Sequence, residues 1–310
     1  MRGAILALLL AGCGSSAPAG GADAGSDADL AATGPTDGGV TTTDDAATYL
    51  LTLDAGAFAP TTAHPSALVY VPRNFDPTPP LSVIVFIHGF SNCVENVVRD
   101  AGGECTPDGG TRAAYSLASQ LEATGKNAIL VVPEIDYDAQ TGNPGALGNS
   151  DGFKAFLTET LADLSGPLHG ATLADVGTVI VSSHSGGYQT AAAIASKGGV
   201  PGVVEVDLLD SLYGNTADFD AWAMTVAPGK RFADVYTSGG GTLANSQAMA
   251  TRAQAWVPAD QLLDDRTTDT LTDAQYAHEL MFKMSGLTHD GVPAYYFGKF
   301  VGTSVLAPKK

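Results

Sequence analysis

The chain is short of positive charge. Only 15 of its 310 residues are lysine or arginine against 33 acidic residues, a net charge of −18. Such a surface repels phosphate backbones and anionic membrane surfaces, which argues against nucleic acid as a partner. Cysteine is sparse too, with three residues. None shows the C-x-x-C spacing of a redox pair, and no cysteine and histidine cluster suggests zinc. The N-terminal apolar run, Ile5 to Leu10, is far too short to span a bilayer. No internal repeat is present, and Gly239 to Gly241 lacks the lysine and serine or threonine of a phosphate-binding loop, so it reads as a turn. What is present is apolar: 45% of the residues, ample for one large core, with nothing arguing for a second.

From about residue 46 strands and helices alternate. Tyr49 to Leu53 and Ala67 to Val71 read as opening strands; Val83 to Ile87 and Ile129 to Val132 are continuous apolar runs, as strands buried on both faces require. Ala114, Leu117, Ala118 and Leu121 fall on one helical face, as do Phe153, Phe156, Leu157, Leu161 and Leu164. Strands follow at Val179 to Val181, Val203 to Leu209, Ala233 to Tyr236 and Leu280 to Met284, with helices at Tyr188 to Lys197, Asp218 to Met224, Leu243 to Trp256 and from about Tyr295. Asp264 and Asp265 read as loop. This alternation predicts an α/β fold, a mostly parallel central sheet with helices on both faces.

The run Val179-Ile180-Val181-Ser182-Ser183-His184-Ser185-Gly186-Gly187 is an apolar strand that breaks into a tight turn with a serine at its apex. Small residues two before and two after Ser185 are what a strained strand-to-helix turn requires. A serine in a glycine-rich turn is by itself only a turn; the order of the elements around it adds the rest. Together they resemble the nucleophile elbow of the α/β-hydrolase superfamily, with Ser183 where the usual G-x-S-x-G pattern has its first glycine. The resemblance covers nearly all of 46–310 and implies that fold, with a site at the C-terminal ends of the strands.

The resemblance implies Ser185 as nucleophile and, in Gly286-Leu287-Thr288-His289-Asp290-Gly291 after the last strand, His289 as base. His64, His169 and His278 lie at the wrong places along the chain, and His184 is expected to point into the protein beside Ser185. The strand ending at Thr237 is followed by Ser238-Gly239-Gly240-Gly241 and has no carboxylate at the position many relatives use. The preceding strand ends in Leu208-Leu209-Asp210-Ser211, a position some members of that superfamily use, so the resemblance implies Asp210 as the acid, with a turn or cap aspartate as its plain alternative. Asp290 adjoins His289 and is expected to diverge from it. His88-Gly89-Phe90-Ser91 resembles the oxyanion segment of esterases and lipases; it implies the amides of Phe90 and Gly186 as donors and His88 as a structural residue. Segments after Asp210 are too short for a large cap, which predicts an open cleft. Glu134, Asp136 and Asp138 alternate in a loop that would suit calcium or a cationic substrate, with a solvated loop as the expected reading.

At the N-terminus, Met1-Arg2 precedes the apolar run, which ends in Leu10-Ala11-Gly12-Cys13. This resembles a bacterial lipobox and implies cleavage after residue 12 and lipid on Cys13. Residues 1–12 then form the signal, 13–45 a tether of small and polar residues unable to offset its ordering entropy by burial, and 46–310 the folded domain. Gly14 rather than an aspartate after Cys13 resembles sorting patterns that favour an outer-membrane destination; a simple secretory signal with an incidental cysteine is the alternative. With Cys13 lipidated, Cys93 and Cys105 remain as one pair, expected as a structural disulfide contributing about 3 kcal/mol by loop entropy.

The expectation is an exported, lipid-anchored serine hydrolase of carboxylic esters, small or polymeric, touching membrane only through its lipid and using no metal or organic cofactor. A peptidase or amidase with the same residues and a non-catalytic envelope binding protein on the same fold are the alternatives.

Overall fold

The computed structural model describes residues 45–58, 64–105 and 109–310. The expected signal, Cys13 and the tether as far as residue 44 lie outside the described residues. The elements in chain order are β1 (Ala47–Leu51), β2 (Ala67–Val71), β3 (Leu81–Ile87), α1 (Val94–Val98), β4 (Gly103–Glu104), β5 (Thr111–Arg112), α2 (Leu117–Thr124), β6 (Ile129–Pro133), α3 (Gly152–Asp163), β7 (Val176–His184), α4 (Tyr188–Lys197), β8 (Val203–Leu209), α5 (Thr216–Ala223), β9 (Arg231–Thr237), α6 (Leu243–Ala253), β10 (Leu262–Asp265), α7 (Asp273–Tyr276), β11 (Leu280–Ser285) and α8 (Gly291–Thr303).

Nine strands form one sheet in the order β1-β2-β6-β3-β7-β8-β9-β11-β10; β4 and β5 form a separate hairpin. β1 and β2 are antiparallel to each other, and β2 is antiparallel to β6. Every pairing from β6 to β10 is parallel. The continuous apolar runs are explained by cover on both faces. Val83, Val85 and Ile87 pack with Phe153, Phe156 and Ala191 of α3 and α4. Ile84 and Phe86 point the other way, onto Leu117, Leu121, Phe297 and Phe300 of α2 and α8. The same period of two on β7 sends Val179 and Val181 to the first core and Ile180 to the second.

Two expectations need correction. Asp264 and Asp265 are not loop: they end β10, which pairs in parallel with β11 at the sheet edge and is held by Lys283, whose Nζ reaches Asp265 Oδ2 at 2.7 Å. A half-buried edge strand of two leucines and two aspartates has too little apolar pattern to stand out. The last helix starts at Gly291 rather than near Tyr295, because Pro293 fits a first turn, where its missing N–H costs no helical bond. Between β8 and β9 stands α5 with short connections, so no cap domain is inserted there. Among the described residues no helix is long and apolar enough to cross a membrane.

Candidate active site

Three parallel strands end at one place. β7 delivers Ser185, β8 delivers Asp210, and the turn between β11 and α8 delivers His289. Ser185 and Asp210 both adopt the left-handed backbone region, with φ of 52° and 51°. That conformation is costly for a residue with a Cβ and is retained only where the surroundings enforce it. Around Ser185 the enforcement is visible. A Cβ on Gly89 would lie 2.6 Å from the Ser185 Cβ, and one on Gly187 would lie 2.7 Å from the Ile87 carbonyl. The smallness of these positions lets the β3 loop press against the elbow.

Ser183 does more than fit in place of glycine. Its buried hydroxyl donates to Ser211 Oγ at 2.9 Å, and Ser211 donates to the Ser185 carbonyl at 2.9 Å. The residue after Asp210 is thereby tied to the elbow.

Asp210 is fully buried. Its Oδ2 accepts from His289 Nδ1 at 2.7 Å and Thr237 Oγ1 at 2.8 Å. Its Oδ1 accepts from the Thr237 amide at 3.1 Å and from the Thr242 hydroxyl. Burial alone would raise the pKa of this carboxyl, but the hydrogen bonds from His289, Thr242 and Thr237 outweigh it and hold the group below the usual aspartate value. The glycines after β9 make this possible: a Cβ on Gly240 would stand 2.2 Å from Asp210 Oδ2. The segment without a carboxylate thus leaves room for the carboxylate of the neighbouring strand.

With Nδ1 donating to Asp210, the Nε2 of His289 is left as the base nitrogen. Beneath the ring lies His184, on the α2 and α8 side of β7; the two ring centroids are 4.4 Å apart. Burial and then the neighbouring His289 push the His184 pKa down to about 3, so its ring is neutral. A neutral ring has one N–H. Placed on Nε2, it donates to the His289 carbonyl at 3.2 Å and leaves Nδ1 to accept from the Tyr115 hydroxyl at 2.9 Å. Asp290 Oδ1 lies 3.2 Å from that same hydroxyl, so Asp290 turns to Tyr115 and away from the His289 ring.

Ser185, Gly186, Phe90 and His289 line one cavity of about 450 Å³. The Phe90 amide has no acceptor among the described residues, and the Gly186 amide sits in a first helical turn, where no intrahelical partner exists. An ideal Cβ on Gly186 would come 3.4 Å from the Phe90 nitrogen, which places the two amides on one side of the elbow. The Ser185 hydroxyl has no hydrogen-bond partner among the described residues.

The neighbouring features resolve as supports. His88 is fully buried, with Nδ1 2.9 Å from the Gly89 carbonyl and Nε2 3.2 Å from Glu134 Oε1. The carboxylates of the 133–149 loop diverge. Glu134 turns inward to His88 and the Val94 amide, and Asp136 accepts from the Asp138 amide at 3.2 Å. Cys93 and Cys105 form a disulfide with Cα atoms 5.6 Å apart. Sequence reasoning missed Tyr115, Thr237, Thr242 and Ser211. A threonine or serine hydroxyl aimed at a carboxylate leaves no periodic signal, although Thr237 and Thr242 flank the very glycines that were noticed.

No protein-family model matches this chain, and no curated protein does. Solved structures do. A serine-to-alanine mutant of the feruloyl esterase module from Clostridium thermocellum, complexed with sinapinate, superposes with a TM-score of 0.52 at 14% identity, over 84% of this chain and 86% of that one. A ferulic acid esterase gives a TM-score of 0.51 at 9% identity, over 83% of this chain and 96% of that one. With its mostly parallel sheet covered by helices and the chain order of its elements, this protein has the α/β-hydrolase fold.

Proposed function

We propose that the chain is an exported, lipid-anchored serine hydrolase that cleaves carboxylic esters through an acyl-enzyme. The observation that carries the reading is the 2.7 Å contact from His289 Nδ1 to a buried, fully hydrogen-bonded Asp210, beside a cavity that Ser185 shares. Asp210 fixes the tautomer of His289. Nε2 takes the Ser185 proton as Oγ attacks the ester carbonyl, and the amides of Phe90 and Gly186 receive the oxyanion, each worth about 3 kcal/mol in the transition state. Collapse expels the alcohol with the proton from Nε2. Water, deprotonated by the same nitrogen, then attacks the acyl-serine and releases the acid. That the Ser185 hydroxyl makes no hydrogen bond among the described residues accords with this, since the bond to the base in free enzymes is often long and tightens with substrate. The esterase names of the structural neighbours fit ester cleavage.

The binding-protein alternative expects Asp210 or His289 to point away from the elbow, and the contact between them speaks against it. Amide cleavage uses the same groups and is decided by substrates. Anchoring rests on Cys13 in its lipobox-like setting; incorporation of labelled palmitate, abolished by Cys13→Ala, tests it. The enzymatic reading is tested by mixing the domain with 4-nitrophenyl acetate. A burst of one nitrophenolate per chain and an acetyl adduct on the Ser185 peptide are expected. A folded chain giving neither, with esters or with amides, refutes the reading.

A further inference from the structure

The cavity that holds Ser185 also holds a charge the mechanism does not use. Arg112 is the one lysine or arginine lining it among the described residues. The side chain is half-buried, its Nε is shielded from solvent with no hydrogen-bond partner, and no carboxylate of the described residues pairs with its guanidinium. On a chain where acidic residues outnumber basic ones 33 to 15, an arginine beside a cavity with no acid partner among the described residues stands out. A buried guanidinium N–H without an acceptor is unfavourable, and a ligand that supplies the acceptor recovers that cost.

The position is built. Arg112 sits on β5, paired with Gly103 of β4. A Cβ on Gly102 would come 2.4 Å from the Arg112 carbonyl, so the two backbones are in close contact. The next carbonyl, that of Ala113, accepts from Asn92 Nδ2 at 3.1 Å and Asn96 Nδ2 at 2.9 Å. Asn96 Oδ1 accepts from the Gly103 amide at 2.7 Å, and the disulfide from Cys93 to Cys105 ties the start of α1 to the end of β4. Among the described residues the one carboxylate lining the cavity, Asp290, is turned to Tyr115.

We propose that Arg112 is the specificity residue of this cavity and that the preferred substrates are esters carrying a carboxylate, which the guanidinium receives. The planar fork of arginine matches the two oxygens of a carboxylate, where a neutral ester offers only weak acceptors. The proposal rests on the serine-hydrolase reading above and adds the substrate class.

Two matched pairs of esters test it. Mono-4-nitrophenyl adipate against its methyl ester places the charge on the acyl side; 4-acetoxybenzoate against methyl 4-acetoxybenzoate places it on the alcohol side. In at least one pair the carboxylate-to-neutral ratio of kcat/KM is expected to fall about tenfold or more in Arg112→Met, the loss of one charge-assisted hydrogen bond, with Arg112→Lys in between. Arg112→Gln, which keeps donors and lacks charge, should fall as Met does and serves if the Met variant does not fold; labelling by a neutral fluorophosphonate reports the folded site. The pair that responds identifies the side of the ester that Arg112 faces. Ratios within about twofold of the unmutated chain in both pairs, in variants that still label, overturn the proposal and leave the hydrolase reading intact. Absence of labelling and of hydrolysis in the unmutated chain overturns both.

Discussion

Replacing Asp210 by asparagine changes one atom at the centre of the site. The side chain keeps its size, and its remaining oxygen can still accept from the Thr237 amide and the Thr242 hydroxyl. The other position becomes an NH2 group facing His289 Nδ1 across 2.7 Å. Thr237 Oγ1, 2.8 Å away, already accepts from the Gly240 amide, so the new donor drives Nδ1 to become the acceptor. The imidazole proton then moves to Nε2, and the nitrogen facing the cavity is a donor where the mechanism needs a base. A wrong tautomer of this kind costs kcat about 10⁴-fold in the serine-protease triad, equivalent to about 5 kcal/mol of transition-state stabilisation. Steady-state hydrolysis of a 4-nitrophenyl ester would show the loss in kcat with little change in KM. Asp210 also carries a sign in stability. Its folded pKa is lowered, so its contribution is present above the unfolded value of about 3.9 and is lost as the pH falls through the folded one. The variant should therefore have a flatter acid limb in a plot of stability against pH. A kcat within about tenfold of the unmutated chain would refute the role given to Asp210.

Gly240→Ala should mimic that loss without replacing any polar group, because its Cβ would press on Asp210 Oδ2 and on Thr237 Oγ1 at 2.6 Å; a fall in kcat of at least about 100-fold is expected, with the circular dichroism of the fold retained. Asp234 is fully buried, and burial raises its pKa to about 8 although Ser246 beside it acts the other way. It stays protonated in the folded chain while ionising in the unfolded one, so stability should decline by roughly 1.4 kcal/mol per pH unit from about pH 4 to 8; Asp234→Asn should remove that slope in urea titrations. Replacing both Cys93 and Cys105 by alanine should lower the unfolding free energy by about 3 kcal/mol, read from the same titrations; an unchanged midpoint would contradict the stabilising role of the bridge.

How far the sequence was legible follows from how each feature is encoded. Runs such as Val83 to Ile87 and Val203 to Leu209 are apolar because both faces of the sheet are covered, and that pattern is continuous along the chain. The elbow was legible because a strained backbone at Ser185 demands small neighbours in fixed places. Asp210 is what the resemblance implies once the turn after β9 lacks a carboxylate, since some members of the superfamily place their acid after the preceding strand, and the structure brings it to His289. Less legible was whatever depends on residues far apart in sequence. The chain of hydroxyls from Ser183 through Ser211 to the Ser185 carbonyl links two strands, and Tyr115 reaches His184 from 69 residues away. Edge strand β10 was missed for a different reason: its exposed side needs no apolar residues.

The central claim is an activated serine served by a distant histidine, and labelling by a fluorophosphonate probe tests it most directly. The unmutated domain should react, and Ser185→Ala and His289→Ala should both lose the label while staying folded. A folded, unmutated chain that does not react, or a His289→Ala variant that labels as fast as its parent, would contradict the account.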